Sequence, residues 1–118
     1  MNNIRISPNF ILREFQCKDG SHQVAIHHQL LEKLQQLRDM AQKPVLITSG
    51  YRNPSHNAKV CGSSTSRHLT GEAADIQIPG LHPDEVAQLA VAAGFTGIGI
   101  YDSFTHVDVR PVPVRWRG

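Results

Sequence analysis

Three residues of the chain have the types and spacing to hold a metal ion: His68, Asp75 and His106. Two imidazoles and one carboxylate form the ligand set of a catalytic zinc, with the fourth position left for water. Asp75 falls in the run Ala73-Ala74-Asp75-Ile76-Gln77-Ile78, which alternates and is closed by Pro79-Gly80, so it reads as a strand. On that strand Asp75 shares a face with Ala73 and Gln77, while Ala74, Ile76 and Ile78 fill the other. A carboxylate between alanine and isoleucine is costly to bury unless it is paired or bound to a cation. His106 follows Thr105 on a later strand, and Asp108 shares its face. Taken singly, each residue also has a plainer reading, the histidines as satisfied core or surface groups and the aspartate as a turn or cap. Spacing alone leaves both readings open.

The elements that must position these residues form an α+β pattern, with helices first and then a small, mostly antiparallel sheet carrying one inserted helix. Ser7-Pro8 reads as the N-cap and first turn of a short helix running through Phe15. From Ile26 to Met40 the apolar residues Ile26, Leu30, Leu31, Leu34, Leu37 and Met40 recur at helical spacing. Val45 to Ser49 reads as a buried strand and Gly50 to Pro54 as a turn. After the Ala73–Ile78 strand, Pro83 opens a helix with acids in its first turn that stops at Gly94. Gly97 to Tyr101 and Thr105 to Val109 read as two strands joined at Asp102-Ser103. The segment Pro111 to Gly118 is a candidate edge strand, weakened by Pro111 and Pro113.

Composition sets bounds on the partners. With 118 residues the chain is expected to form a single domain, residues 1–118. Twelve basic against ten acidic residues give a net charge of +2, too little to suggest nucleic acid as a partner. No apolar run approaches the roughly 20 residues that span a bilayer, and Asn2, Asn3 and Arg5 stand where a signal peptide needs an apolar core. A soluble monomer, cytoplasmic as synthesised, is the expectation. Cys17 and Cys61 read as two buried or half-buried thiols, with a single bridge between them as the alternative. Seven histidines are the one compositional excess.

The segment Ser66-Arg67-His68-Leu69-Thr70-Gly71-Glu72-Ala73-Ala74-Asp75 fits S-x-H-x-x-G-x-A-x-D at all five specified positions. It resembles the signature of the zinc D-alanyl-D-alanine carboxypeptidase and endopeptidase family, bacterial and phage cell-wall enzymes related to the hedgehog signalling domain. Ser49-Gly50-Tyr51-Arg52 upstream, and Phe104-Thr105-His106-Val107-Asp108-Val109-Arg110 downstream, are similar to two further segments of that family. The opening Ser7 to Cys17 is similar to the start of its small single-domain members. The resemblance implies that His68, Asp75 and His106 bind Zn²⁺ and that Arg52 grips a substrate carboxylate or carbonyl oxygen. A guanidinium suits that task, because it is permanently charged and bonds in pairs.

The resemblance further implies a zinc metallopeptidase acting on stem or cross-link peptides of bacterial peptidoglycan, as a carboxypeptidase or endopeptidase. Many family members carry an acid three positions before the last histidine, where this chain has Ser103. Asp108, on the face of His106, and Asp102, one residue before Ser103, are therefore the candidate general bases, with Glu72 ranked behind them. Asp108 has a second reading, as the group that orients a metal ligand. The serine favours an alternative, a zinc-containing module that binds cell-wall peptide or a protein partner without turnover. Trp116 reads as cover for the core or as a substrate platform, Tyr51 as packing or an oxyanion donor, and His56 as an exposed loop residue or part of the cleft wall. A wall enzyme without a signal would be reconciled by a phage origin with release through a partner, or by excision from a longer chain.

Overall fold

The computed structural model describes residues 1–118. Its spine is a five-stranded sheet ordered β3-β4-β6-β5-β7, built from β3 (Leu46–Ser49), β4 (Ala73–Gln77), β5 (Gly97–Ile100), β6 (Thr105–Asp108) and β7 (Val114–Arg117). All neighbours are antiparallel except β5 and β7, which run parallel. Helices α1 (His28–Ala41) and α3 (Pro83–Ala93) pack on one face, and the short α2 (Pro54–Lys59) precedes β4. The α+β expectation holds.

The register explains the division of labour. Ala74 pairs with Val107 and Val107 with Ile98, so these residues line up across three strands on one face. That face meets Leu30, Leu34 and Leu37 of α1 and Val86 and Ala90 of α3 in the main apolar core. On the other face Asp75 lies opposite His106, His106 opposite Gly99, and Gly99 beside Trp116. Side chains of one strand alternate between faces, so a single register serves both sets.

Three sequence expectations are corrected. Ser7 caps no helix: β1 (Arg5–Ser7) and β2 (Phe10–Ile11) form a hairpin, and a 3₁₀ turn follows at Leu12–Phe15. Phe10 and Phe15, five positions apart, would point about 140° apart on a helix. The hairpin instead brings both rings into the core with centroids 5.8 Å apart. Helix α1 starts two residues after Ile26, because the His27 imidazole takes the cap position and accepts from the Gln29 amide. The β3 strand is an edge rather than a buried strand, and Leu46 is 46% exposed. The C-terminal edge strand does form. Pro111 and Pro113 precede it, where no ladder N–H is needed.

Both cysteines are free, Cys17 buried and Cys61 exposed, so neither the bridge nor a second buried thiol is present. No helix is long and apolar enough to cross a membrane.

Candidate metal centre

The two histidines reach the same point from different local structures. His68 sits in a 3₁₀ turn (Arg67–Thr70), and its amide donates to the capping Ser66 hydroxyl. Gly71 ends the turn at φ +72°, in the left-handed region, where a Cβ would also lie 2.6 Å from the Ala25 carbonyl oxygen. Glycine is required there on both counts. His106 and Asp75 come from neighbouring strands in direct register. His68, Asp75 and His106 each offer a ligand atom within 4.8 Å of the others, and all three residues are buried.

Their hydrogen bonds aim specific atoms inward. The His68 Nδ1–H donates to the Gly50 carbonyl at 2.7 Å, which leaves Nε2 as the free lone pair. That Nε2 is buried and has no hydrogen-bond partner, although it stands 3.3 Å from Asp75 Oδ1. An orphaned imidazole nitrogen facing a buried carboxylate is costly in a closed protein and fits a cation between them. His106 Nδ1 lies 3.0 Å from the same Asp75 oxygen. Two nitrogens and a carboxylate oxygen converging in this way match the donor set of a zinc centre with an open position.

Burial opposes the ionisation of Asp75, but the two imidazoles beside it, His106 foremost, hold its carboxyl well below the usual range. For His106 burial works against protonation, and the bonds to Asp108 and Asp75 outweigh it, so its pKa is raised. Asp108 is likewise held low against its burial, chiefly by Arg110 and then by His106.

Arg52 borders the cluster. Its Nε donates to Ser49 Oγ at 3.2 Å, Nη1 to Asn57 Oδ1 at 3.4 Å and Nη2 to Asp75 Oδ2 at 3.4 Å. The guanidinium therefore braces the carboxylate of the cluster while lining an open cleft of about 580 Å³. His68, Asp75 and His106 form part of the same cleft wall, with Arg67, Arg110, Tyr101, Phe104 and Trp116 around them.

Neither candidate base lines the cleft. Asp108 does share the His106 face, but it is fully buried and does not line the cleft. One carboxylate oxygen lies 2.8 Å from His106 Nε2, and both oxygens accept from Arg110, at 2.9 and 2.6 Å. Its oxygens are thus engaged by His106 and Arg110. Asp102 is exposed in the β5–β6 turn, outside the cleft. Glu72 is turned away onto Thr70 and Arg67. His56 and Tyr51 also lie outside the cleft wall.

Sequence reasoning passed over Tyr101, Phe104, Arg67 and Arg110 as wall residues. Tyr101 and Phe104 stack at 4.5 Å, and the Tyr101 hydroxyl accepts from Trp116 Nε1 at 2.9 Å. Trp116 is half-buried, with its ring 5.1 Å from that of His106 and the Arg110 guanidinium 5.2 Å over its face. It covers the site rather than the core. The available signal was Gly97-Ile98-Gly99 in β5. A Cβ on Gly99 would lie 2.4 Å from the Trp116 indole, and one on Gly97 would lie 1.9 Å from Asp108 Oδ1. Glycines two apart in a strand mark a face over which neighbouring side chains must lie flat.

The chain is similar in sequence to known peptidases. The family model for peptidase M15 matches residues 6–109. The zinc D-Ala-D-Ala carboxypeptidase of Streptomyces albus G is 40% identical over 81 residues, which is 64% of this chain and 32% of that protein. The peptidoglycan L,D-endopeptidase MepK of Escherichia coli K12 is 30% identical over 91 residues, 70% of this chain and 50% of that protein. The chain thus spans a third to a half of the length of these curated relatives.

Proposed function

Because this chain belongs to the peptidase M15 family, we propose that it is a zinc metallopeptidase that hydrolyses peptide bonds in stem or cross-link peptides of bacterial peptidoglycan. The observation that carries this reading is the unpartnered His68 Nε2, buried and facing Asp75 and His106 at the floor of an open cleft. His68 through Nε2, His106 through Nδ1 and Asp75 through its carboxylate would hold the zinc. The names of the Streptomyces and Escherichia relatives support the metal and the polymer. When bound, zinc supplies a polarising charge for the scissile carbonyl and an activated water.

The chain's own groups account for binding and charge. Arg52 is held by Ser49 and Asn57 in a fixed orientation, so its remaining donor capacity can meet a substrate carboxylate or carbonyl oxygen without reordering. Arg67 and Arg110 add positive charge to the wall, and Asp75 is the one carboxylate lining it. A peptide that carries carboxylates suits such a surface. Trp116, Tyr101 and Phe104 offer an apolar wall for the rest of the chain. The Tyr101 hydroxyl, accepting from Trp116, keeps its own proton for an oxygen or leaving nitrogen in the cleft.

The test is hydrolysis of a peptidoglycan-derived peptide with D-amino acids, with and without a chelator. The reading expects cleavage that is lost with the metal and in His68→Ala, and restored to wild type by zinc. Undiminished cleavage after thorough metal removal would contradict it. A second reading is favoured by one observation, the lack of any carboxylate besides Asp75 in the cleft wall. It is a zinc-holding module that binds cell-wall peptide without turnover. Saturable peptide binding with no product under zinc-replete conditions would select it.

A further inference from the structure

We propose that Asp108 is a positioning residue that selects Nδ1 of His106 as the metal-facing nitrogen, and that Arg110 and the glycine at 97 exist in this fold to seat it. The inference rests on the metal-site reading above and adds a role for three residues outside the ligand set.

The argument starts from the cost of the arrangement. Asp108 is a fully buried carboxylate in the middle of a sheet, at a register position directly between Ala73 and Gly97. Nothing about sheet pairing asks for an acid there, and a buried ion pair is weak evidence for stability as such. The surroundings are nevertheless shaped around the carboxylate. Gly97 leaves the space that a Cβ would take, 1.9 Å from Asp108 Oδ1. Arg110 closes over it with Nε and Nη2, at 2.9 and 2.6 Å. The Trp116 ring then lies against both Arg110 and His106.

The one inward contact Asp108 makes is with His106 Nε2, at 2.8 Å. A neutral imidazole carries a proton on one nitrogen and a lone pair on the other, and His106 faces a carboxylate at each, Asp108 at Nε2 and Asp75 at Nδ1. With a cation held beside Asp75, a proton on Nδ1 would be opposed, and Asp108 would hold it at Nε2. The lone pair is then on Nδ1, which points at Asp75 and toward His68. His68 is set the opposite way by the Gly50 carbonyl at its Nδ1, leaving Nε2 free. The two imidazoles therefore present different nitrogens to one point, and each is held by an acceptor behind it. One acceptor is a backbone carbonyl that mutation cannot remove. The other is a side chain, and it can be tested.

The experiment is zinc affinity by competition with a chromophoric chelator, on wild type, Asp108→Asn and Arg110→Gln. Turnover at saturating zinc is measured alongside. The proposal expects Asp108→Asn to bind zinc about 10–100-fold more weakly, and most of its turnover to return when zinc is saturating. Arg110→Gln, whose side chain reaches solvent, should shift affinity in the same direction by less. It also serves if Asp108→Asn fails to fold. Long-range proton–nitrogen NMR on the zinc-loaded wild type should show His106 protonated at Nε2. Zinc affinity unchanged in both variants overturns the proposal. So does a loss of turnover at saturating zinc with affinity intact, since that marks Asp108 as the base. A wild-type chain that binds no zinc overturns the metal reading itself, which is a distinguishable result.

Discussion

The two faces of the central sheet are made by the same strands and differ in almost every other respect. Toward α1 and α3 the face is Ala74, Ile76, Val107 and Ile98, all essentially inaccessible and joined in one apolar cluster. Toward the cleft it is Asp75, His106 and Asp108, also buried, but joined by hydrogen bonds and charge. The first face tolerates any set of side chains that fills its volume, because dispersion and the hydrophobic effect are not directional. The second requires particular atoms at particular places, because an unpaired buried polar group is costly. One face supplies stability and the other uses it to hold buried polar groups in place.

Substitutions can separate the two. The largest effect on function is expected for His106→Ala, which removes a ligand: zinc binding and peptide hydrolysis should both be lost while the helices stay folded, read by metal content, product assay and far-ultraviolet circular dichroism. Retained zinc at wild-type affinity would place the metal elsewhere. Next, Leu34→Ala on α1, wholly buried, should cost about 2–5 kcal/mol of stability in denaturant titration. Zinc affinity of the folded fraction should stay unchanged, and a parallel drop in affinity would show that the faces are not separable. Arg52→Lys is expected to lower kcat/KM by about ten- to a hundredfold, equivalent to roughly 1.5–3 kcal/mol for a charged hydrogen bond. The melting temperature should barely move.

The smallest effect concerns neither face. Asp19 is fully exposed, and its carboxyl is held below the usual range by the Ser21 hydroxyl, then by the Ser21 amide and Asn53. A depressed folded pKa contributes stability that is present above the unfolded value, near 3.9, and is lost as pH falls through it. Asp19→Asn should therefore lower the melting temperature slightly at neutral pH. That gap should begin to narrow below about pH 4 and keep narrowing as the pH falls toward the depressed folded value. A gap that widens on acidification would contradict the sign.

How much of this was legible in the sequence follows the same division. The alternation in β4 set Asp75 apart from Ala74 and Ile76, and that in the Thr105–Asp108 strand put His106 and Asp108 on one face, because strand side chains obey a period of two regardless of context. His68 was legible from the motif around it and not from periodicity, since a 3₁₀ turn has no pattern of its own. The N-terminal hairpin was missed because Ser7-Pro8 is a good local helix start, and only the need to bury both Phe10 and Phe15 overrides it. Asp108 does lie on the cleft face, but the sequence does not show that Arg110, two residues on, and Gly97, from another segment, enclose it. The part Gly97 plays is a matter of register, which appears only once β5 and β6 are paired. The aromatic wall was hidden for the same reason, since Tyr101 and Trp116 meet across β5 and β7.

The most direct test of the central claim is to titrate zinc into the metal-free chain while following bound metal and hydrolysis of a peptidoglycan stem peptide together. The account predicts that turnover rises in step with occupancy and levels off at about one zinc per chain, as a single set of three ligands requires. It also predicts that Asp75→Ala shows neither rise. Hydrolysis that proceeds at full rate before any zinc is bound, or that persists in Asp75→Ala, would contradict it.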